Sequence, residues 1–335
     1  MVKEKNLTDG SSGFCPLGPS AKVKAAVRKA IKKINSGSSP GMNALNTLFE
    51  SKFSLSSEKI LFANSLNELI YLIPEVLKPE RVLIAGPALN IYEDAARSAG
   101  AEVSCIAGRE TDGFVPELSN VLKNAGDKDL VFIANPNRIH GRMIPVKILH
   151  ETVERLSPGG PHVVIDESLV EFAGSGDFGS DIVNTGKVTI LRTTAFFYGM
   201  PGLELAHAVS SPEMIQLYKK ENHSEINNLS IAAARAAYKD SAYHRAVKQF
   251  VLTEKKMLMK MLAKIDWIRV YDTDTNVLLI KINKNSDEVA ETLKRAGLAL
   301  RDCAEIRGLD SSFFRISVMK HEKNLKLISV LRSLL

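Results

Sequence analysis

Cysteine is scarce in this chain: Cys15, Cys105 and Cys303 are its only three among 335 residues. Three widely separated thiols fit neither a disulfide framework nor a zinc ribbon, and a reducing compartment suits them. Long apolar runs are missing as well. The longest, such as Val82 to Leu89 around Gly86-Pro87, fall far short of the roughly 20 residues that cross a bilayer, so no membrane span is expected. Met1 to Ser12 is polar and has no apolar stretch of the kind a secretory signal needs, which makes the cytoplasm the expected location. Glycine-rich dinucleotide or nucleoside-triphosphate loops are absent. His140 and His207 stand alone, no His/Cys/carboxylate set has metal-ligand spacing, and no nucleophile elbow supports a Ser/His/Asp site.

Charge of one sign is also in short supply, with 44 Lys and Arg against 38 Asp and Glu. The densest basic stretch is Lys22, Lys24, Arg28, Lys29, Lys32 and Lys33, interleaved with Val23, Val27, Ala30, Ile31 and Ile34. That spacing describes one amphipathic helix with a solvated face. No aromatic or recognition motif accompanies it, so a nucleic-acid partner is not expected. Hydrophobic residues at 45% and charged residues at 24% are ordinary globular usage. At about 150 residues per domain the length suggests two packed lobes.

Pro16-Leu17-Gly18-Pro19-Ser20 reads as a rigid turn with Ser20 as N-cap of the basic helix, and the segment from Ser36 to Gly41 breaks that helix. Short β-rich runs at Lys59–Ala63, Arg81–Ala85, Glu102–Ile106, Leu130–Ala134, His162–Ile165 and Val188–Leu191 then alternate with helical patterns such as Glu68–Leu77 and Ala88–Ala99. Strands alternating with helices imply a mostly parallel sheet covered on both faces, with its sites beyond the carboxyl ends of the strands. From Glu213 to Leu262 the pattern is largely helical. Strands at Trp267–Tyr271, Asn276–Ile282, Leu298–Arg301 and Phe314–Val318, with helices Asp287–Ala296 and Glu322–Leu335, complete a smaller α+β lobe.

Four clusters fall at strand ends: Asn64-Ser65-Leu66-Asn67-Glu68-Leu69-Ile70, Asn135-Pro136-Asn137-Arg138-Ile139-His140-Gly141, Ile165-Asp166-Glu167-Ser168, and Leu191-Arg192-Thr193 through Pro201-Gly202-Leu203-Glu204. In this order and spacing they resemble the fold-type-I enzymes that use pyridoxal 5'-phosphate, in the branch of histidinol-phosphate aminotransferases and threonine-phosphate decarboxylases of cobalamin synthesis. Pro16-Leu17-Gly18-Pro19-Ser20, Phe196-Phe197, Met200-Pro201-Gly202-Leu203, Arg301-Asp302-Cys303 and Phe314-Arg315-Ile316-Ser317-Val318 look most like the decarboxylase. So do Asp240, Tyr243, His244 and Arg245. The resemblance covers nearly the whole chain. It implies a three-layer α/β large domain over residues 41–240 and a small α+β domain over 241–335, with residues 1–40 packing on the small domain. It also implies a homodimer with active sites at the dimer interface.

Such enzymes need a lysine amine for the aldimine, an aspartate at the pyridine nitrogen, and a turn, a hydroxyl and an arginine for the phosphate. By resemblance Asp166 matches the partner of the pyridine nitrogen; a strand-end acid is its other reading. The lysine is missing, because its position in Leu191-Arg192-Thr193-Thr194-Ala195-Phe196 is Phe196. The nearest lysines, Lys187 and Lys219, do not realign to it. A benzyl group has no nucleophilic nitrogen, so covalent cofactor binding is not expected.

Other cradle positions differ too. Asn64, Ser65 and Leu66 occupy the phosphate-binding turn, Thr193 and Ala195 precede the lysine position, and Glu204 replaces the phosphate-pairing arginine. That last exchange turns an attraction of roughly a few kcal/mol into repulsion of similar size. Arg138 falls on an asparagine position, Leu169 and Leu89 on aromatic ones, and Gly37 on the neighbour-subunit tyrosine. Arg138 either points into the vacated pocket, as a new anion-binding group, or lies in a surface loop. At the substrate end, Arg315 matches the carboxylate-binding arginine or forms a structural ion pair, and Asn227 and Arg301 fall close to the pocket. Two functions stay open. One is a degenerate homologue acting as a binding, regulatory or partner subunit, with a small anionic or amino-acid-like ligand. The other is an active aminotransferase, decarboxylase or cofactor-independent enzyme around Asp166, Arg138, Glu204 and Arg315.

Overall fold

The computed structural model describes residues 7–35, 39–154, 160–174 and 182–334. Gly37, the position that the resemblance gives to a neighbour-subunit tyrosine, lies outside the described residues. The chain opens with a two-residue strand β1 (Thr8–Asp9), helix α1 (Ala21–Ile31) and helix α2 (Ser39–Phe53). Ser20 caps α1, its hydroxyl accepting a bond from the Val23 amide at 3.2 Å.

The large sheet follows, built from β2 (Ile60–Ala63), β3 (Arg81–Gly86), β4 (Glu102–Ala107), β5 (Asp129–Ala134), β6 (His162–Asp166), β7 (Val188–Thr193) and β8 (Ala206–Val209). Helices α3 (Leu66–Leu77), α4 (Ile91–Ser98), α5 (Leu118–Lys123), α6 (Val146–Glu154) and α7 (Val170–Ala173) connect these strands. Their spatial order is β2-β8-β7-β6-β5-β3-β4, and only β8 runs against its neighbours. Strands β5, β6 and β7 are buried along their whole length, which is why they read as near-continuous β-branched runs rather than alternating ones. With one strand reversed, the carboxyl ends of β2, β5, β6 and β7 and the amino end of β8 meet at one edge.

Helices α8 (Pro212–Glu221), α9 (Asn228–Lys239) and α10 (Ser241–Leu262) lead into the small domain. There β9 (Ile268–Val270), β10 (Val277–Ile282), β12 (Arg301–Asp302) and β13 (Phe313–Ser317) form an antiparallel sheet in the order β12-β13-β10-β9. Helices α11 (Ser286–Arg295) and α12 (His321–Arg332) cover it, and β11 (Leu298–Ala299) pairs in parallel with β1.

Residues 8–10 contact the small domain through β1 and through Ser317, whose amide donates to the Gly10 carbonyl at 2.7 Å. Helix α1 instead lies on α9, and Val23 belongs to the large core. Helix α10 places Val247 and Val251 in the large core and Leu258 and Leu262 in the small one, so one continuous helix spans both.

A third cluster joins the domains: Phe114 and Ile139 from the large side meet Tyr271, Leu279, Cys303 and Phe313 from the small side. Gly141 sits at this seam with φ +73°, and a Cβ there would overlap the Thr273 hydroxyl and stand 2.6 Å from the Val277 carbonyl oxygen. Gly141→Ala is therefore expected to lower unfolding free energy by about 2–4 kcal/mol in chemical denaturation, through left-handed backbone strain and overpacking together.

Candidate functional site

At the common sheet edge, Asp166 ends β6 with no exposed surface. A carboxylate this deep needs donors, since desolvating it without partners costs several kcal/mol. Tyr92, from the first turn of α4, donates its hydroxyl to Oδ2 at 2.6 Å, and the Ser168 amide donates to Oδ1 at 2.8 Å. Burial and the neighbouring Asp166 raise the Tyr92 hydroxyl well above its ordinary range, so it stays a donor. The countercharge is Arg138, whose Nη1 lies 3.6 Å from Oδ2.

Arg138 is aimed inward by its own loop. Asn137 donates through Nδ2 to the Pro87 carbonyl at 2.9 Å and accepts from the Ile139 amide at 2.7 Å, while Asn135 accepts from the Ile144 amide at 2.7 Å. The guanidinium carbon then stands 4.8 Å from the centre of the Phe196 ring, a cation–π geometry. Phe196 also stacks on Phe14, ring centres 5.2 Å apart and planes 26° from parallel. Phe196 is 7% exposed.

A second acid lies a short way along the edge. Glu204 follows the turn Pro201–Leu203 and points Oε1 at the N-terminus of α3, accepting from the Leu66 amide at 2.9 Å and from the Thr193 hydroxyl at 2.5 Å. Thr193 also accepts from the Ala195 amide at 3.1 Å, and Ser65 caps α3 by accepting from the Glu68 amide. The amides at a helix N-terminus favour an anion, and here the chain supplies its own.

Arg315, in β13, is 7% exposed. Its guanidinium donates to the Arg138 carbonyl at 2.7 Å and to the Ser11 carbonyl. Burial, with Arg138 beside it, pulls its pKa down to about 10. Past Ser11 the strap continues over the site: Asn276 donates to the Gly13 carbonyl at 2.7 Å, Phe14 stacks on Phe196, and the Cys15 amide donates to the Phe196 carbonyl at 2.8 Å.

Residues 6–331 match the family described as aminotransferase class I and II. The chain belongs to that family. Histidinol-phosphate aminotransferase 2 of Archaeoglobus fulgidus is 30% identical over 337 residues, covering 99% of this chain and 94% of that protein. The threonine-phosphate decarboxylase of Salmonella typhimurium is 25% identical over 339 residues, covering 100% and 93%. A crystal structure of the histidinol-phosphate aminotransferase from Clostridium acetobutylicum superposes with a TM-score of 0.90 at 25% identity, covering 98% of this chain and 99% of that one. Fold class and resemblance, as expected from the sequence, are those of fold-type-I transferases.

In this class I and II aminotransferase chain, Asp166, Arg138, Phe196 and Arg315 come together, and Leu66, Thr193, Ala195 and Glu204 gather beside them. Three other expected residues stand outside that group, although Arg301 pairs in register with Arg315. Asn227 caps α9, accepting from the Ser230 amide at 2.8 Å. Asn64 donates to the Glu225 carbonyl at 3.1 Å. Arg301 is exposed on β12, an edge strand. Leu169 is buried in the large core, and Leu89 packs against the seam. Tyr92 and Phe14 escaped the sequence reading; Tyr92 lies three residues beyond Leu89, the position where an aromatic was sought.

Behind Asp166 the family fold carries more buried charge. Arg192 binds Glu167 through Nε at 2.8 Å and Nη2 at 2.7 Å. Glu171 lies near this pair with a buried Oε2, and burial outweighs Arg192 to push its carboxyl up to about 7. Unfolded, it titrates near its ordinary 4.5. Between those values the folded chain holds a proton that the unfolded chain has lost, so stability falls as pH rises from about 4.5 to 7. Glu171→Gln is expected to remove this slope and to be the more stable form at pH 8, in denaturation curves taken across that range.

The Glu204 carboxylate has its own check. Glu204→Ala should lose about 1–2 kcal/mol of unfolding free energy. Inorganic phosphate should restore part of that loss while leaving the unsubstituted protein unchanged. An unaltered denaturation midpoint would show that the carboxylate holds nothing at α3.

Proposed function

We propose that this chain is a degenerate homologue of threonine-phosphate decarboxylase and histidinol-phosphate aminotransferase that forms no pyridoxal 5'-phosphate aldimine and works as a binding, regulatory or partner subunit. One observation carries the reading: Phe196, at the position the resemblance gives to the lysine, is buried against Phe14 and Arg138.

The residues at the site do not fit the family cofactor. A phosphate at the amino end of α3 would have to displace Glu204 from the Leu66 amide and the Thr193 hydroxyl, and would meet its charge if it stayed. A pyridine nitrogen at Asp166 would have to displace Arg138 from beside Oδ2. A carboxylate at Arg315 would compete with the backbone carbonyls of Ser11 and Arg138. By the resemblance, the Glu204 carboxylate, the Arg138 guanidinium and the Phe196 ring take the positions of the phosphate partner, the loop asparagine and the lysine. No step through the cofactor is assigned. A homodimer remains the expected assembly by family membership.

The test is a titration of the purified protein with pyridoxal 5'-phosphate, then dialysis, visible absorbance and borohydride reduction with peptide mapping. The expected result is colourless protein with no reduced lysine adduct. A stable yellow protein with one trapped lysine would overturn the reading and direct attention to decarboxylase and transaminase assays. Phe196→Lys alone is expected to stay colourless, because Glu204 and Arg138 still hold the phosphate and ring positions.

A further inference from the structure

His140 lies in the loop that aims Arg138, yet its side chain plays no part in the Asp166 site, and it is 1% exposed. Its Nδ1 accepts from the Arg142 amide at 3.1 Å, which places the ring proton on Nε2. Burial, with Arg142 beside it, pulls the imidazole pKa down to about 3, so the ring is neutral and Nε2 is a donor. That donor has no hydrogen-bond partner among the described residues. A buried N–H without an acceptor is costly, so the group calls for something that accepts from it.

His140 and Arg142 wall a cavity of about 10 Å³, closed by Val115, Pro116 and Ile144. That is room for one oxygen-sized atom. Arg142 brings a second donor: its Nε is buried, and Asp274 at 3.6 Å is too far to accept a hydrogen bond from it. The charge of Arg142 is met by Asp274 and Asp272 of the small domain. Two N–H donors without an unmet charge suit a neutral carbonyl oxygen, which has two lone pairs, better than a carboxylate. Val115, Pro116 and Ile144 are also walls of an outer groove of about 820 Å³. It opens to solvent between the 106–120 segment and α6, at the β4 end of the large sheet. Ile106, Leu118 and Ile148 give it apolar surface, and Ile148 is 50% exposed. Its charged groups are Arg109, already bound to Asp112 at 2.9 Å, and Glu117, so it offers an anion no free cation. A concave apolar surface leading to a few fixed polar groups is the usual form of a small-molecule site.

We infer that this groove and the cavity behind it bind a small neutral carbonyl compound, an amide or ketone on an apolar frame, whose oxygen accepts from His140 Nε2 and Arg142 Nε. The site uses none of Asp166, Arg138, Phe196, Glu204 or Arg315, so the outcome of cofactor titration does not bear on it.

The experiment uses the full chain and probes that share one frame: benzamide, with a neutral carbonyl; benzoate, with a charge; and benzylamine, with no acceptor. Ligand-observed NMR titrations should show saturable binding of benzamide, with benzoate and benzylamine at least about tenfold weaker. His140→Leu removes the donor, and Ile148→Arg crowds the groove from an exposed position while leaving His140 intact. Each should weaken benzamide at least about tenfold. A crystal soaked in 4-bromobenzamide should show the bromine in the groove by anomalous scattering, and the carbonyl oxygen within hydrogen-bond distance of His140 Nε2. Several results would overturn the inference. They are benzamide binding that does not saturate up to about 50 mM, equal binding of benzylamine, full benzamide affinity in either variant, and an ordered water on His140 Nε2 that stays in the soaked crystal.

Discussion

The buried carboxylate of Asp166 governs the site. It ends a strand that lies inside a seven-stranded sheet, so it has no route to water and must be satisfied by the chain. Tyr92 and the Ser168 amide supply hydrogen bonds, but only a cation offsets the charge. Arg138 fills that need, which fixes the direction of its side chain and the course of the loop from Asn135 to Ile144. The planar guanidinium then offers its face to Phe196, and Phe196 in turn requires an apolar cover, which Phe14 provides. One buried charge thus propagates outward into an arrangement of acid, cation and two rings.

Glu204 repeats the logic with the signs reversed. The amino end of α3 leaves amides pointing at the sheet edge, and a helix terminus without an acceptor is costly. Glu204 reaches it because β8 runs antiparallel and returns the chain to the edge where α3 begins. The polypeptide thereby meets, with its own side chains, the electrostatic demands that the fold creates at the carboxyl ends of its strands. On the proposed reading this self-satisfaction is what lets the scaffold stay stable without a bound anion.

The sheet was legible because parallel strands buried on both faces leave β-branched runs that short helices interrupt, as in Leu130–Ala134 and His162–Ile165. Asp166 was legible as a strand-end acid because it follows such a run directly, and its expected role came only from the resemblance. The direction of Arg138 was not, since it depends on a bond from Asn137 to Pro87, 50 residues away. Glu204 meets Leu66 across 138 positions, and no local pattern records that meeting. Phe14 and Tyr92 escaped for the same reason: each acts on a partner far away in sequence. That α10 serves both cores was hidden differently, because a single helical period runs unbroken through them.

Access to Asp166 is the remaining physical question, and the strap from Ser11 to Cys15 answers it. Parting Phe14 from Phe196 would expose two aromatic faces, and releasing Arg315 would strand a buried guanidinium whose Nε already has no hydrogen-bond partner among the described residues. Opening the seam between domains is resisted separately. Glu110 accepts from Tyr271 at 2.5 Å and pairs with Lys281 at 3.0 Å and Arg269 at 3.2 Å, and Glu93 pairs with Arg307 at 2.6 Å. The exposed members of these pairs contribute little individually. The Phe114, Tyr271 and Phe313 cluster beside them adds aromatic contact, worth about 0.5–1.5 kcal/mol per ring pair beyond area burial. A ligand that entered between the domains would have to offset all of these losses at once.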